Sequence, residues 1–146
     1  MKRIRFGHRH LTFPSQALGE LRDSSSLLDD LPALQSRMAE DGYLLLRGLL
    51  PRATVLQARQ TILQHMQGAD ALVPNTPLLE GVMGGRSPRM MGRKGIAYHP
   101  DVLAVLESPA LFDFFASYFA ERAVTFNYKW LRGVGYEEYT GAHYDF

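Results

Sequence analysis

His143 and Asp145 stand two residues apart in Gly141-Ala142-His143-Tyr144-Asp145-Phe146, and they carry the side chains of this chain best suited to chemistry. On an extended segment side chains alternate with period two, so an H-x-D presents an imidazole and a carboxylate on one face. A neutral imidazole and an ionised carboxylate aimed at one point are two of the three ligands of a 2-His-1-carboxylate site for non-haem Fe(II). No histidine follows Asp145 in the 146 residues, so the third ligand of such a site is not among them. Two ligands alone are expected to bind iron poorly. The plainer alternative is a hydrogen-bonded His–Asp pair near a strand end.

Composition narrows the setting for that pair. A chain of 146 residues fits one ordinary domain but is short for a metal-dependent barrel with accessory helices. A hydrophobic content of 46% predicts a sizeable core. With 16 basic and 15 acidic residues the net charge is +1, which argues against a dedicated nucleic-acid or membrane-surface binder. Absence of cysteine excludes disulfides, thiolate zinc sites and cysteine nucleophiles. No apolar run approaches the roughly 20 residues of a membrane span and no signal-peptide core follows the start, so a soluble cytoplasmic protein is expected. The basic stretch Met1–Leu11 reads as a solvated strand or tail. Arg3-Ile4, five residues, then His10-Leu11 also fits the loose form of a peroxisomal address, a secondary reading with meaning only in a eukaryote.

The elements that must position the motif follow from local signals. Residues 23–30 (DSSSLLDD) are rich in capping side chains and open a helix in which Leu31, Leu34 and Met38 share a face, with Gly42 as its stop. Tyr43-Leu44-Leu45-Leu46-Arg47 reads as a short buried strand ended by Gly48. Pro51 suits a first helical turn, and Val55, Leu56, Ile62, Leu63 and Met66 form one stripe, so 52–67 is a helix. From 67 to 98 six glycines and prolines at 74, 77 and 88 predict a loop that covers something. A helical pattern returns at Asp101–Leu106, and Ser108-Pro109 caps a further stretch with Leu111, Phe112, Phe115 and Phe119 on one face. Phe112, Phe114, Phe115, Tyr118 and Phe119 read as core or helix-packing aromatics. Residues 123–131 alternate: Val124, Phe126, Tyr128 and Trp130 oppose Thr125, Asn127, Lys129 and Leu131, the pattern of a half-buried strand.

Asp41-Gly42-Tyr43 through Pro51, then Phe126-Asn127-Tyr128-Lys129-Trp130-Leu131-Arg132, then Gly141-Ala142-His143-Tyr144-Asp145 carry a resemblance to the phytanoyl-CoA dioxygenase family of Fe(II)/2-oxoglutarate oxygenases. The resemblance runs from about residue 31 onward and matches the first half or so of a typical member. It implies an α+β fold in which amino-terminal helices pack on the start of a double-stranded β-helix, a jelly-roll barrel incomplete in this chain. The organisation expected is one amino-terminal portion of a dioxygenase domain: an extension (1–30), a helical part (31–122) with the glycine-rich loop, and the first core strands (123–146). An unpaired strand edge at the end of such a chain would be an association hazard, so self-association is expected.

That resemblance also implies roles. His143 and Asp145 become iron ligands, while the distal histidine and the arginine that holds the far carboxylate of 2-oxoglutarate would lie beyond Phe146. Lys129, with Asn127 beside it, would meet a carboxylate of 2-oxoglutarate if the polar face of its strand looks into the cavity; otherwise Lys129 snorkels to solvent. Arg86 and Arg93, with Arg89 and Lys94 in the same loop, would guide an anionic small-molecule substrate, or else are solvated. His99 reads as a turn residue before Pro100, and His65 as a surface partner of its helix end. The activity implied is oxidation of a small organic or acyl substrate by O2, with 2-oxoglutarate converted to succinate and CO2. A non-catalytic interaction domain pairing through a sheet edge is the rival from another class. Zinc hydrolysis is a third reading, which requires His99 as an extra ligand.

Overall fold

The computed structural model describes residues 1–6, 8–84 and 95–133. Two strands open the chain, β1 (Lys2–Phe6) and β2 (Arg9–Phe13), paired antiparallel with Ile4 opposite Leu11 and Arg5 opposite His10. Period-two alternation puts half-buried Ile4, Leu11 and Phe13 on one face and exposed Arg3, Arg5, His10 and Thr12 on the other. The basic amino terminus is thus a strand pair with one solvated face.

Helix α1 spans Leu31–Asp41 because its ends are specified locally. The Asp30 carboxylate accepts from the backbone N–H of Ala33 at 3.0 Å, and Pro32 sits in the first turn, where its missing N–H costs nothing. Gly42 at φ +74° reverses the chain while its N–H donates to the Met38 carbonyl at 2.9 Å. Leu34, 2% exposed, is the residue α1 buries most deeply.

Tyr43–Arg47 is not a buried strand. A single parallel bridge joins Leu45 to Asp23, and these five residues are half-buried to exposed. One backbone hydrogen bond and two side-chain hydroxyls make the connection instead. Ser24, fully buried, donates its N–H to the Leu45 carbonyl at 2.8 Å, and the Arg47 N–H donates to Ser25 Oγ at 2.6 Å. Tyr43 Oη accepts from the Arg22 N–H at 2.8 Å.

Helix α2 (Arg52–Gly68) begins after Pro51, which caps it from outside rather than filling the first turn. Its stripe is only half used: Leu63 and Met66 are buried, whereas Val55 and Leu56 are each 38% exposed. Leu63, Met66 and Ala71 form the core, with Ile62, Leu72, Leu78, Met83, Ile96 and Leu131 packed around them. The expected loop is therefore partly ordered. One-turn 3-10 helices stand at Leu78–Glu80 and Ile96–Tyr98, and Leu72 bridges Met83. Gly81 ends the first of these turns at φ +62°, where an added Cβ would lie 3.0 Å from Leu63 Cδ2.

Helix α3 (Pro100–Leu106) packs on α2, and α4 (Pro109–Phe119) follows after Glu107 and Ser108. The 20 residues Pro100–Phe119 are long and apolar enough by composition to cross a membrane, contrary to expectation, although they fold as two helices. Of the two readings of the α4 aromatics, core or helix-packing, the core one is corrected, since none of the helix's residues is fully buried. Its rings pack on one another: Phe114 meets Phe115 edge-on at 5.2 Å, and Phe115 stacks on Phe119 at 5.9 Å.

Residues 123–133 contain no strand. The alternating pattern does not appear in the exposure, since residues 124–128 are all exposed. Val124, Phe126, Tyr128 and Trp130 are 79%, 74%, 55% and 52% exposed, while Lys129 is buried. A strand exists only through pairing, and among the described residues no neighbour pairs with this segment. The mixed helix and strand content agrees with an α+β class; the described residues contain no jelly-roll barrel.

Candidate functional site

Of the residues singled out in the sequence, Lys129 and Asn127 are placed. His143, Asp145, Arg86 and Arg93, with Arg89 and Lys94, lie outside the described residues.

Lys129 is 9% exposed and makes three polar contacts. Its ammonium donates to the Phe126 carbonyl at 2.7 Å and to Thr125 Oγ1 at 2.9 Å, and it pairs with Glu107 Oε1 at 3.3 Å. Three acceptors match the three N–H bonds of an ammonium, which is how a lysine tolerates burial. Lys129 thus neither snorkels to water nor faces an open cavity; it folds back over the bend at Asn127 and ties it to the junction of α3 and α4.

Tyr98 fixes the same bend from the other side. Its hydroxyl accepts from the Lys129 N–H at 3.0 Å and donates to the Asn127 carbonyl at 3.2 Å. One phenol thereby satisfies two backbone groups that a neighbouring strand would otherwise engage. Asn127 enters this arrangement through its main chain, and its side chain is exposed. Two residues further on, Leu131 reaches the core. Nothing local in the sequence marks Tyr98 or Glu107, because their partners lie 31 and 22 positions away.

His99 is the N-cap of α3: its Nδ1 accepts from the Asp101 N–H at 3.3 Å and lies 3.7 Å from Asp101 Oδ2. Asp101 Oδ2 also accepts from Thr61 Oγ1 at 2.5 Å and from Gln57 Nε2 at 3.1 Å, joining α3 to α2. These hydrogen bonds, Thr61's first, hold the Asp101 carboxyl below its ordinary value. Asp23 is lowered in the same way, chiefly by the Ser25 hydroxyl and backbone N–H and then by Arg47. His65 is exposed in the last turn of α2. Among the described residues no group of three or more histidine and carboxylate side chains could hold a metal ion.

Beside α4 a groove of about 480 Å³ opens between the helix and residues 121–125, lined mainly by Leu106, Phe112, Phe115, Phe119, Val124 and Thr125. Neither Glu107 nor Lys129 lines it, although its Thr125 accepts from the Lys129 ammonium. Comparison with models of protein families, with curated proteins and with solved structures gives no match.

Proposed function

We propose that the chain belongs to an Fe(II)/2-oxoglutarate-dependent dioxygenase that oxidises a small organic or acyl substrate. The observation that carries this reading is the G-x-H-x-D at Gly141–Asp145, set downstream of the Asp41-Gly42-Tyr43 turn and the Phe126–Arg132 segment. The donor set suits the metal: an imidazole and a carboxylate are ligands that ferrous iron accepts, and the absence of cysteine removes the thiolates that would favour zinc. His143 and Asp145 would hold the iron with a histidine that the family resemblance implies beyond Asp145. Bound there, iron and 2-oxoglutarate supply O2-dependent oxidation of substrate coupled to formation of succinate and CO2.

The chain's own residues would prepare that site. Tyr98 and Leu131 anchor the backbone on either side of Lys129, so the segment leading to the motif starts from a fixed point. Arg86 and Arg93 would draw an anionic substrate toward the site, while Lys129, whose ammonium is already held by Phe126, Thr125 and Glu107, would serve it only by tying down the bend before the motif. The test is succinate formation with Fe(II), 2-oxoglutarate, ascorbate and O2, in a protein carrying the further histidine, beside His143→Ala and Asp145→Ala. Loss of turnover in both variants is expected. Undiminished turnover in either one overturns the assignment.

A second reading, a non-catalytic interaction domain, is favoured by the exposed row Val124, Phe126, Tyr128 and Trp130. Such a domain would bind a partner through that row and retain no iron. Iron content after reconstitution separates the two readings.

A further inference from the structure

We propose that the groove beside α4 is the contact surface of a symmetric dimer, filled in each copy by Phe126 of the other. The pairing shares its exposed row with the reading as an interaction domain and names the partner, but requires neither the presence nor the absence of iron. An apolar hollow of about 480 Å³ is of the size that ligands and anchoring side chains occupy. The chain carries the filler on the adjoining segment. Val124 lines the groove, and two residues further along stands Phe126, 74% exposed and outside the core. A surface with a hollow and an unsheltered ring side by side is complementary to itself about a two-fold axis, because residue i then meets j and j meets i.

Charge follows the same rule. Glu121 and Arg122 both line the groove and are exposed, and among the described residues neither side chain has a hydrogen-bond or salt-bridge partner. One acid beside one base leaves no net charge to select an acidic or a basic partner. Two copies related by a two-fold axis near them set Glu121 against Arg122 of the second copy, twice over. The area suffices as well. The exposed parts of Phe115, Phe119, Phe126, Tyr128 and Trp130 come to roughly 600 Å² per chain. Val124 and the charged rim bring this near the ~800 Å² that each partner contributes to a standard interface. A membrane is the poorer cover. Pro100–Phe119 is apolar enough for one, but Asp113 is the only charged residue of α4, and no lysine or arginine on that helix would meet lipid phosphates.

The experiment is sedimentation equilibrium of the purified chain with charge reversals at the rim. Wild type is expected to dimerise with a Kd on the order of 10 μM, the weak end for such an area. Glu121→Arg and Arg122→Glu each turn both cross-pairs into repulsions and should weaken dimerisation about tenfold. An equimolar mixture of those two variants regains both pairs and should dimerise as wild type does, and so should the double variant. Phe126→Ala removes the filler and should weaken dimerisation at least tenfold. A wild type that stays monomeric at about 100 μM overturns the proposal, as does growth that does not stop at two copies. Single reversals that dimerise like wild type, or a mixture no tighter than its components, overturn it too. Flotation with vesicles of phosphatidylcholine and phosphatidylserine in place of dimerisation would give the row to a membrane and overturn it likewise. Iron content, not mass, decides between the two functional readings, so loss of the dimer leaves both as they stand.

Discussion

At the scale of single residues, two carboxylates make stability depend on acid. Asp101 and Asp23 are both held below the ordinary aspartate value of 3.8 by hydrogen bonds to the charged form. A carboxyl lowered in the folded state binds fewer protons there than in the unfolded chain. Its stabilisation is therefore complete above the unfolded value and fades as pH falls through the folded one. Thermal melts from pH 6 to pH 2.5 should show the wild type losing its margin over Asp101→Asn below about pH 4. Thr61→Val removes the hydrogen bond that lowers Asp101 most, and should shrink that margin even at pH 6. A margin independent of pH would refute the role given to Asp101. Tyr98→Phe deletes both backbone contacts around Lys129 and should destabilise by about 1–3 kcal/mol, the penalty for leaving such groups unmade. Denaturant unfolding gives that figure, and the emission maximum of Trp130 should move with it.

Among the elements, the helices were legible because their signals are local. Asp30 and Gly42 bracket α1, Pro51 precedes α2, and Ser108-Pro109 begins α4, all as the residue types dictate. Asp30→Ala should cost about 1 kcal/mol through loss of the cap on Ala33, measured by urea titration. A cost near zero would mean that tertiary packing alone holds the first turn of α1. The segments expected as strands were not legible in the same way. Alternation at 123–131 states which side chains would share a face, but hydrogen-bonded partners must come from elsewhere in the chain or from another one. Lys129 shows the consequence: assigned to a polar face, it is instead the buried member of its segment, with the apolar side chains outward. Its neutralisation by Glu107 and its backbone tie to Tyr98 are contacts between distant positions that no periodicity encodes. Of the proposed metal site, His143 and Asp145 were legible as a motif and lie outside the described residues.

For the whole molecule, the distribution of apolar surface sets the behaviour in solution. The core around Leu63, Met66 and Ala71 gathers α2, the 71–83 turn, Ile96 and Leu131. Phe115, Phe119, Val124, Phe126, Tyr128 and Trp130 remain outside it, each 42% exposed or more. Isolated apolar side chains on a surface are ordinary, whereas Phe115, Phe119 and Val124 line one groove and the rest follow in the adjoining segment. Water around such a surface is released when it is covered, and the gain grows with the area removed. The purified chain should therefore associate as its concentration rises, with sedimentation velocity showing species heavier than the 16.5 kDa monomer at about 100 μM. Val124 and Phe126 are the most exposed members of the row, and neither belongs to the core. Val124→Ser with Phe126→Ser should thus lower association about tenfold or more, since each removes apolar area without touching the packing of α2. The melting temperature of that double variant should stay within a few degrees of wild type. A wild type that remains monomeric at this concentration would show that the row does not join copies of the chain, and would leave a different partner as its cover. Association that persists in the double variant would place the contact on another surface, with the exposed Val55 and Leu56 of α2 the next to be substituted.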